Sequence, residues 1–140
     1  MMNTKIYKAV HDLTEQLMLA AQKEDQKKFD TLYATLKAIC EDNDNSKKDH
    51  PVQWETLGDF TDDFALAVEI YKIALKKSIA IHSDDHIASV AYSMATMQLE
   101  LDQKDEAIKS LKMAKESSLN IEDKQLKAEI HDLLYPLEND

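Results

Sequence analysis

The sequence predicts an all-α fold in which antiparallel helical hairpins stack side by side, with about seven helices. One Gly and two Pro in 140 residues leave few of the residues that interrupt regular structure. Apolar residues recur at steps of three and four, the spacing that places side chains on one face of a helix. Short polar segments separate these stripes, so the helices should be joined by short turns. A chain of this length is about one domain, and we expect a single domain over residues 1–140.

The charge of the chain limits its partners. Twenty-seven acidic residues against 17 basic ones give a formal net charge of −10. Because proteins bind phosphate backbones through clustered Lys and Arg, this charge opposes nucleic-acid binding, and it favours a basic protein partner. No apolar run approaches the roughly 20 residues that span a bilayer. The first residues, MMNTKIYKAVHD, carry charges where a signal peptide is apolar, so we expect a cytoplasmic protein without membrane contact.

Residues 1–41 are predicted to form an N-terminal helical hairpin. Asn3 is a suitable cap for the first helix and Asp25 for the second. The apolar stripes are Ile6, Val10, Leu13, Leu17 and Ala21, then Phe29, Leu32, Tyr33, Leu36 and Ile39. Cys40 is the only cysteine, so no intrachain disulfide is possible, and its helical position is typical of a small core residue.

Residues 42–50 are predicted to form a polar loop, because EDNDNSKKDH, from Glu41 to His50, has no apolar residue. Asp42, Asp44 and Ser46 have the spacing of ligands in a calcium-binding loop. Lys47 occupies the position that needs Gly, and Gln53 the position that needs a bidentate Glu. The sequence therefore favours a solvated linker over a calcium site.

Four further helices follow the loop. Pro51 suits the first turn of a short helical segment, PVQWETLGDF. Thr61 or Asp62 is predicted to cap the next helix and Ser83 the one after it, while Asp102-Gln103-Lys104 should form a turn. The apolar stripes are Phe64, Ala67, Ile70, Tyr71, Ala74 and Ile81, then Ile87, Val90, Ala91, Met94, Ala95 and Leu99, and finally Ala107, Ile108, Leu111 and Ala114.

A last helix is predicted after Ile121. Asn120 and Asp123 have the spacing of an approximate capping box. The apolar stripe is Leu126, Ile130, Leu133 and Leu134. Pro136 is expected to end this helix, which leaves residues 136–140 as a tail.

Two alanine patterns connect the hairpins to a known family. Ala67-Tyr71-Ala74 and Ala107-Leu111-Ala114 match the second helix of the tetratricopeptide repeat, and Trp54 with Leu57-Gly58 matches its first helix. Residues 51–135 therefore resemble tetratricopeptide-repeat (TPR) proteins. The step from Ala67 to Ala107 is longer than the family period of about 34 residues, so the match concerns residue types within each hairpin rather than their spacing along the chain.

The resemblance implies a short right-handed superhelix with a groove lined by the first helix of each pair. Such a groove receives a peptide or helix from another protein, without catalysis or cofactor. The positions implied to face the groove are Glu55, Asp59, Asp62, Asp63, Ser89, Tyr92, Thr96, Leu99, Glu100, Gln125 and Glu129. Tyr92 is expected to be exposed and to contribute most, because Tyr gives a large contact area at low entropic cost.

Two alternatives remain open from the sequence. A helical metal-dependent hydrolase would use His82, His86 and His131 with Asp84 and Asp85, although Ser83 has the position of a helix cap that separates the first two histidines. A helical bundle with an exposed apolar stripe would instead form a homodimer. The predicted function is a non-catalytic protein-binding scaffold: an adaptor, a chaperone-like escort or an inhibitor.

Overall fold

The computed structural model describes residues 3–139 and confirms the all-α prediction. Within this range there are seven α-helices and no strand. The helices are α1 (Thr4–Gln22), α2 (Gln26–Asp42), α3 (Pro51–Asp59), α4 (Phe64–Ala80), α5 (Asp84–Glu100), α6 (Lys104–Ser118) and α7 (Lys124–Glu138).

The helices pack as a stack of hairpins. Each even-numbered helix contacts the odd-numbered helices before and after it. In addition, α1 contacts α3 and α3 contacts α5. The first helices of successive hairpins therefore lie side by side, an arrangement compatible with a helical repeat fold.

Several predicted helix starts are confirmed by their capping hydrogen bonds. Asn3 accepts from the backbone N–H of Ile6 at 3.1 Å and Asp25 from that of Lys28 at 3.1 Å. Ser83 Oγ accepts from the backbone N–H of His86 at 3.3 Å. Pro51 lies in the first turn of α3, as predicted.

Two other predicted caps are wrong. Asp63, not Thr61 or Asp62, caps α4 by accepting from Leu66 N at 2.9 Å. The Thr61 hydroxyl is engaged elsewhere, since it donates to Leu57 O at 2.7 Å and lies 2.7 Å from the Tyr33 hydroxyl. Likewise Asp123 alone caps α7, accepting from Leu126 N at 3.0 Å. Asn120 lies in the preceding turn.

The predicted end of the last helix and parts of two apolar stripes are also wrong. Pro136 lies inside the last turn of α7, which continues to Glu138. A proline at this position removes only one hydrogen bond, the one that a backbone N–H would donate to the carbonyl of Asp132. Because Asp132 is exposed, solvent can hydrogen-bond to that carbonyl instead. Residue 140 lies outside the described range. Ala20 rather than Ala21 is buried, and Phe64 and Ile81 at the ends of α4 are exposed.

Gly58 allows α3 and α4 to approach closely. A Cβ atom at this position would lie 2.6 Å from Cε1 of the Tyr71 ring, well inside contact distance. Tyr71 is itself buried, and its hydroxyl donates to Asp59 Oδ1 at 2.6 Å, so the ring has little freedom to move aside. The lack of a side chain at Gly58 is therefore a packing requirement of the α3–α4 hairpin.

We expect Gly58→Ala to destabilise the protein by about 1 kcal/mol. The substitution gains up to about 1 kcal/mol of helix propensity, but forcing an extra carbon into a packed interface costs about 1–3 kcal/mol. Urea unfolding of the two proteins measures the difference. Combining Gly58→Ala with Tyr71→Leu removes the aromatic ring, so the alanine should then cost less. A stabilising effect of Gly58→Ala alone would contradict this packing.

The loop after α2 is fastened to α4 rather than being a solvated linker throughout, which corrects the sequence-based interpretation. Asp42 belongs to α2, so the loop covers residues 43–50. Lys77 Nζ on α4 pairs with Asp49 and lies 2.6 Å from Asp44 Oδ1. Trp54 Nε1 donates to Asp49 Oδ1 at 2.9 Å, and Lys77 Nζ lies 5.3 Å from the centre of the Trp54 ring. We call these four residues the Lys77 clamp.

The surroundings of the clamp shift the pKa values of Asp49 and of the nearby Cys40 in opposite directions. Burial would raise the pKa of Asp49, but hydrogen bonds from Lys77, the Asn45 backbone and Trp54 outweigh it and hold that pKa below its ordinary value. The buried Cys40 thiol donates to Gln53 O at 3.3 Å. Burial, followed by the negative charges of Asp49 and its neighbours, raises the pKa of Cys40 to about 12. Cys40 is thus a protonated core residue at neutral pH, as its helical position predicted.

Candidate binding groove

One face of the helix stack contains a cavity bounded by α3, α5 and α7. Its volume is about 430 Å³. The residues that line this cavity, which we call the α3–α5–α7 groove, are Glu55, Asp85, His86, Ser89, Asp123, Gln125, Leu126 and Glu129. Four of them, Glu55, Ser89, Gln125 and Glu129, are positions that the sequence assigned to a groove. The structure brings these four together from three helices.

Glu55 connects α3 to α5 at the floor of the groove. Its Oε2 accepts from the Ser89 hydroxyl at 2.6 Å. Its Oε1 lies 3.6 Å from His86 Nδ1, too far for a strong hydrogen bond. The Glu55 side chain is only 14% exposed, and among the described residues Oε1 has no hydrogen-bond donor closer than His86 Nδ1.

His50 supports this floor, a role that the sequence did not predict. Its Nδ1 accepts from the backbone N–H of Val52 at 3.1 Å, so His50 caps α3. Its ring packs edge-on against the ring of His86, with centroids 5.1 Å apart. Burial, followed by the proximity of His86, lowers the pKa of His50, which keeps it neutral and able to accept this bond at neutral pH. The available signal was its position directly before Pro51.

Tyr92 differs from its predicted role as an exposed contact residue. It is half-buried and packs against both hydrophobic clusters of the protein. Burial raises the pKa of its hydroxyl, and the nearby negative charge of Glu129 adds to this effect. The prediction of an exposed ring is therefore wrong, because α7 covers it. Tyr92 instead packs in the interior beside Glu129, which lines the groove.

The other predicted groove residues lie outside the cavity. The half-buried Thr96 donates to Ser93 O at 2.6 Å, and Glu100 is exposed at the end of α5. Asp59 keeps an exposed surface but accepts from Tyr71. Burial of its carboxylate raises the pKa of Asp59 to about 6, and the nearby negative charge of Glu55 contributes to this increase. The hydrogen bond from Tyr71 acts in the opposite direction. Asp62 and Asp63 lie in the turn after α3, and Leu99 packs against the smaller hydrophobic cluster.

The histidines of the hydrolase alternative do not share a site. His82 is exposed in the turn after α4, with a positive φ of 54°. His86 lines the α3–α5–α7 groove, whereas His131 lines a separate cavity between α6 and α7. Across residues 3–139, no three His, Cys, Asp or Glu side chains are arranged to hold one metal ion.

Among the helices of residues 3–139, none combines the length and the apolar character needed to cross a bilayer. No protein-family model, curated protein or solved structure matches this chain.

Proposed function

We propose that this protein is a non-catalytic, TPR-like scaffold that binds a segment of another protein in the α3–α5–α7 groove. The observation that carries the proposal is the convergence of three odd-numbered helices on one concave surface. In a stack of hairpins, the first helices form a continuous face suited to an extended peptide or a helix. Adaptors, escorts and inhibitors all act by holding a partner in this way.

The packing within the hairpins supports the TPR-like part of the proposal. Trp54 and Leu57 on α3 are buried, and Gly58 lies against the ring of Tyr71. The positions matched to the second helix of the repeat are also buried: Ala67, Tyr71 and Ala74 on α4, and Ala107, Leu111 and Ala114 on α6. Small residues at these positions let the helices approach, and the large ones fill the space between them. The right-handed superhelix follows from the resemblance.

The chemistry of the groove supports binding of a peptide segment. Carboxylate, hydroxyl and amide groups line it, and Leu126 adds a half-buried apolar contact. Partly exposed polar side chains of this kind can accept hydrogen bonds from the backbone N–H groups of an extended peptide.

A display library of random short peptides tests the proposed function. The folded protein is the bait, and a selected peptide is then titrated into isotopically labelled protein while amide NMR signals are followed. We expect the largest shifts at Ser89, Gln125 and Glu129. Amides on the outer surfaces of α2, α4 and α6 should remain in place and serve as the internal control. Failure to enrich any peptide, or shifts confined to even-numbered helices, would refute the proposal.

A further inference from the structure

We infer that the occupant of the α3–α5–α7 groove is a basic segment of the partner, which inserts a cationic Arg or Lys side chain beside Glu55. This inference rests on the proposed function and adds the chemistry of the partner. It depends on the charge, the desolvation and the shape of the cavity.

The charge of the residues that line the groove is complementary to that of a basic segment. The lining residues Glu55, Asp85, Asp123 and Glu129 are acidic, and none of the residues that line the cavity is Lys or Arg. These carboxylates belong to three different helices or their first turns. Their negative electrostatic potentials add within the cavity, which makes the potential there more negative than one helix alone would. An acidic or phosphorylated segment would be repelled from this surface.

The surroundings of Glu55 also favour a cationic partner. Its side chain is 14% exposed, and within residues 3–139 Oε1 has no donor closer than His86 Nδ1 at 3.6 Å. A carboxylate in such surroundings gains more from a charged donor than an exposed one does, since less solvent competes for its oxygens. A guanidinium or ammonium group that entered the groove would complete the hydrogen bonding of this oxygen.

The shape of the cavity also fits a long cationic side chain. The cavity volume of about 430 Å³ admits a long side chain, and Leu126 offers an apolar contact for its methylene groups. The carboxylates are spread around the cavity and do not converge as ligands of one metal ion. The site therefore suits a cationic group carried on a flexible stem better than it suits a bare cation.

The test uses two pairs of variants with matched charge changes. Gln125→Lys places a competing cation at the groove, while Gln16→Lys adds the same charge on an exposed position of α1. Glu129→Gln removes a groove carboxylate, and Glu116→Gln removes an exposed one on α6. Circular dichroism and thermal melting establish that each variant is folded before binding is measured.

The probes are fluorescein-labelled hexa-arginine, hexa-lysine and hexa-glutamate, followed by fluorescence anisotropy at a salt concentration of about 0.15 M. We expect the two cationic peptides to bind and hexa-glutamate not to bind. Gln125→Lys should weaken binding about tenfold and Glu129→Gln severalfold, whereas the two control variants should change it less than about twofold. The difference between hexa-arginine and hexa-lysine shows which cation the groove prefers.

If a groove variant and its control weaken peptide binding equally, the inference is overturned. Such a result is expected when a cationic peptide is attracted to an acidic protein without binding at a defined site. Undiminished binding to Gln125→Lys, or no binding of either cationic peptide, would overturn it as well. None of these results affects the random-peptide selection. A selected peptide that lacks basic residues and still shifts the groove amides would leave the scaffold proposal standing and reject only the cationic occupant.

Discussion

Replacing Asp49 with alanine is expected to lower the free energy of unfolding by about 3 kcal/mol, because it removes the central acceptor of the Lys77 clamp. Asp49 accepts from Lys77, from Trp54 Nε1 and from the Asn45 backbone. Its side chain is 9% exposed and that of Lys77 is 14% exposed. Deleting the carboxylate leaves the buried Trp54 Nε1 without its acceptor and leaves Lys77 paired only with Asp44. Because Lys77 and Trp54 are poorly solvated, the penalty exceeds that of losing an exposed ion pair.

Asp44→Ala is the matched control for this prediction. Asp44 pairs with the same lysine, but its side chain is 42% exposed, so its loss should cost less than about 1 kcal/mol. Chemical denaturation followed by tryptophan fluorescence measures both variants, and Trp54 is the only tryptophan in the chain. Its emission should shift in Asp49→Ala and remain close to normal in Asp44→Ala. Equal effects of the two variants would show that the clamp does not depend on Asp49.

The lowered pKa of Asp49 gives the same clamp a pH dependence. A carboxyl whose folded-state pKa lies below its unfolded value of about 3.9 binds fewer protons in the folded protein. Its contribution is therefore present above the unfolded pKa and is lost as the pH falls through the folded pKa. The stability difference between the original protein and Asp49→Ala should shrink on acidification below about pH 4.

The elements of this fold were predictable where the determining contacts are local. Asn3, Asp25 and Ser83 cap helices through bonds to residues three positions later, so sequence spacing identified them. Thr61, Asp62 and Asp63 are three adjacent residues of capping type, and local pattern could not rank them. The hydroxyl of Thr61 is committed to Leu57 and Tyr33, and the second of these is 28 residues away.

The clamp and the groove show the same division between local and distant contacts. Asp49 pairs with Lys77, 28 residues later in the chain, so a polar stretch rich in turn formers gave no sign that the side chain of its last acid is mostly buried. For the groove, the family resemblance included Ser89 and Gln125 among its implied positions, and both line the cavity. It did not identify Asp85 or Asp123, because these lie at the starts of α5 and α7 and join the groove only through the relative placement of those helices.

Replacing Leu111 with alanine is expected to cost about 3 kcal/mol of unfolding free energy, within the range measured for large-to-small substitutions in cores. Leu111 is fully buried on α6, where it forms the smaller hydrophobic cluster with Ala95, Ala107 and Leu134. Three of the four come from α5 and α6 and the fourth from α7. Two of its buried partners are alanines, so the space left behind can be filled only if larger side chains around the cluster, such as Leu99 and Leu133, shift from their positions.

The same substitution links the core to the groove, because Leu134 belongs to the helix that carries Gln125 and Glu129. We expect Leu111→Ala to increase amide hydrogen exchange across α7 more than across α1. Met113→Ala, at a position that is 39% exposed on the same helix, should cost less than about 1 kcal/mol and leave exchange in α7 unchanged. If exchange rises uniformly in Leu111→Ala, α7 is not docked independently through this cluster. A rise confined to α7 means that the packing of one leucine sets the position of the groove wall.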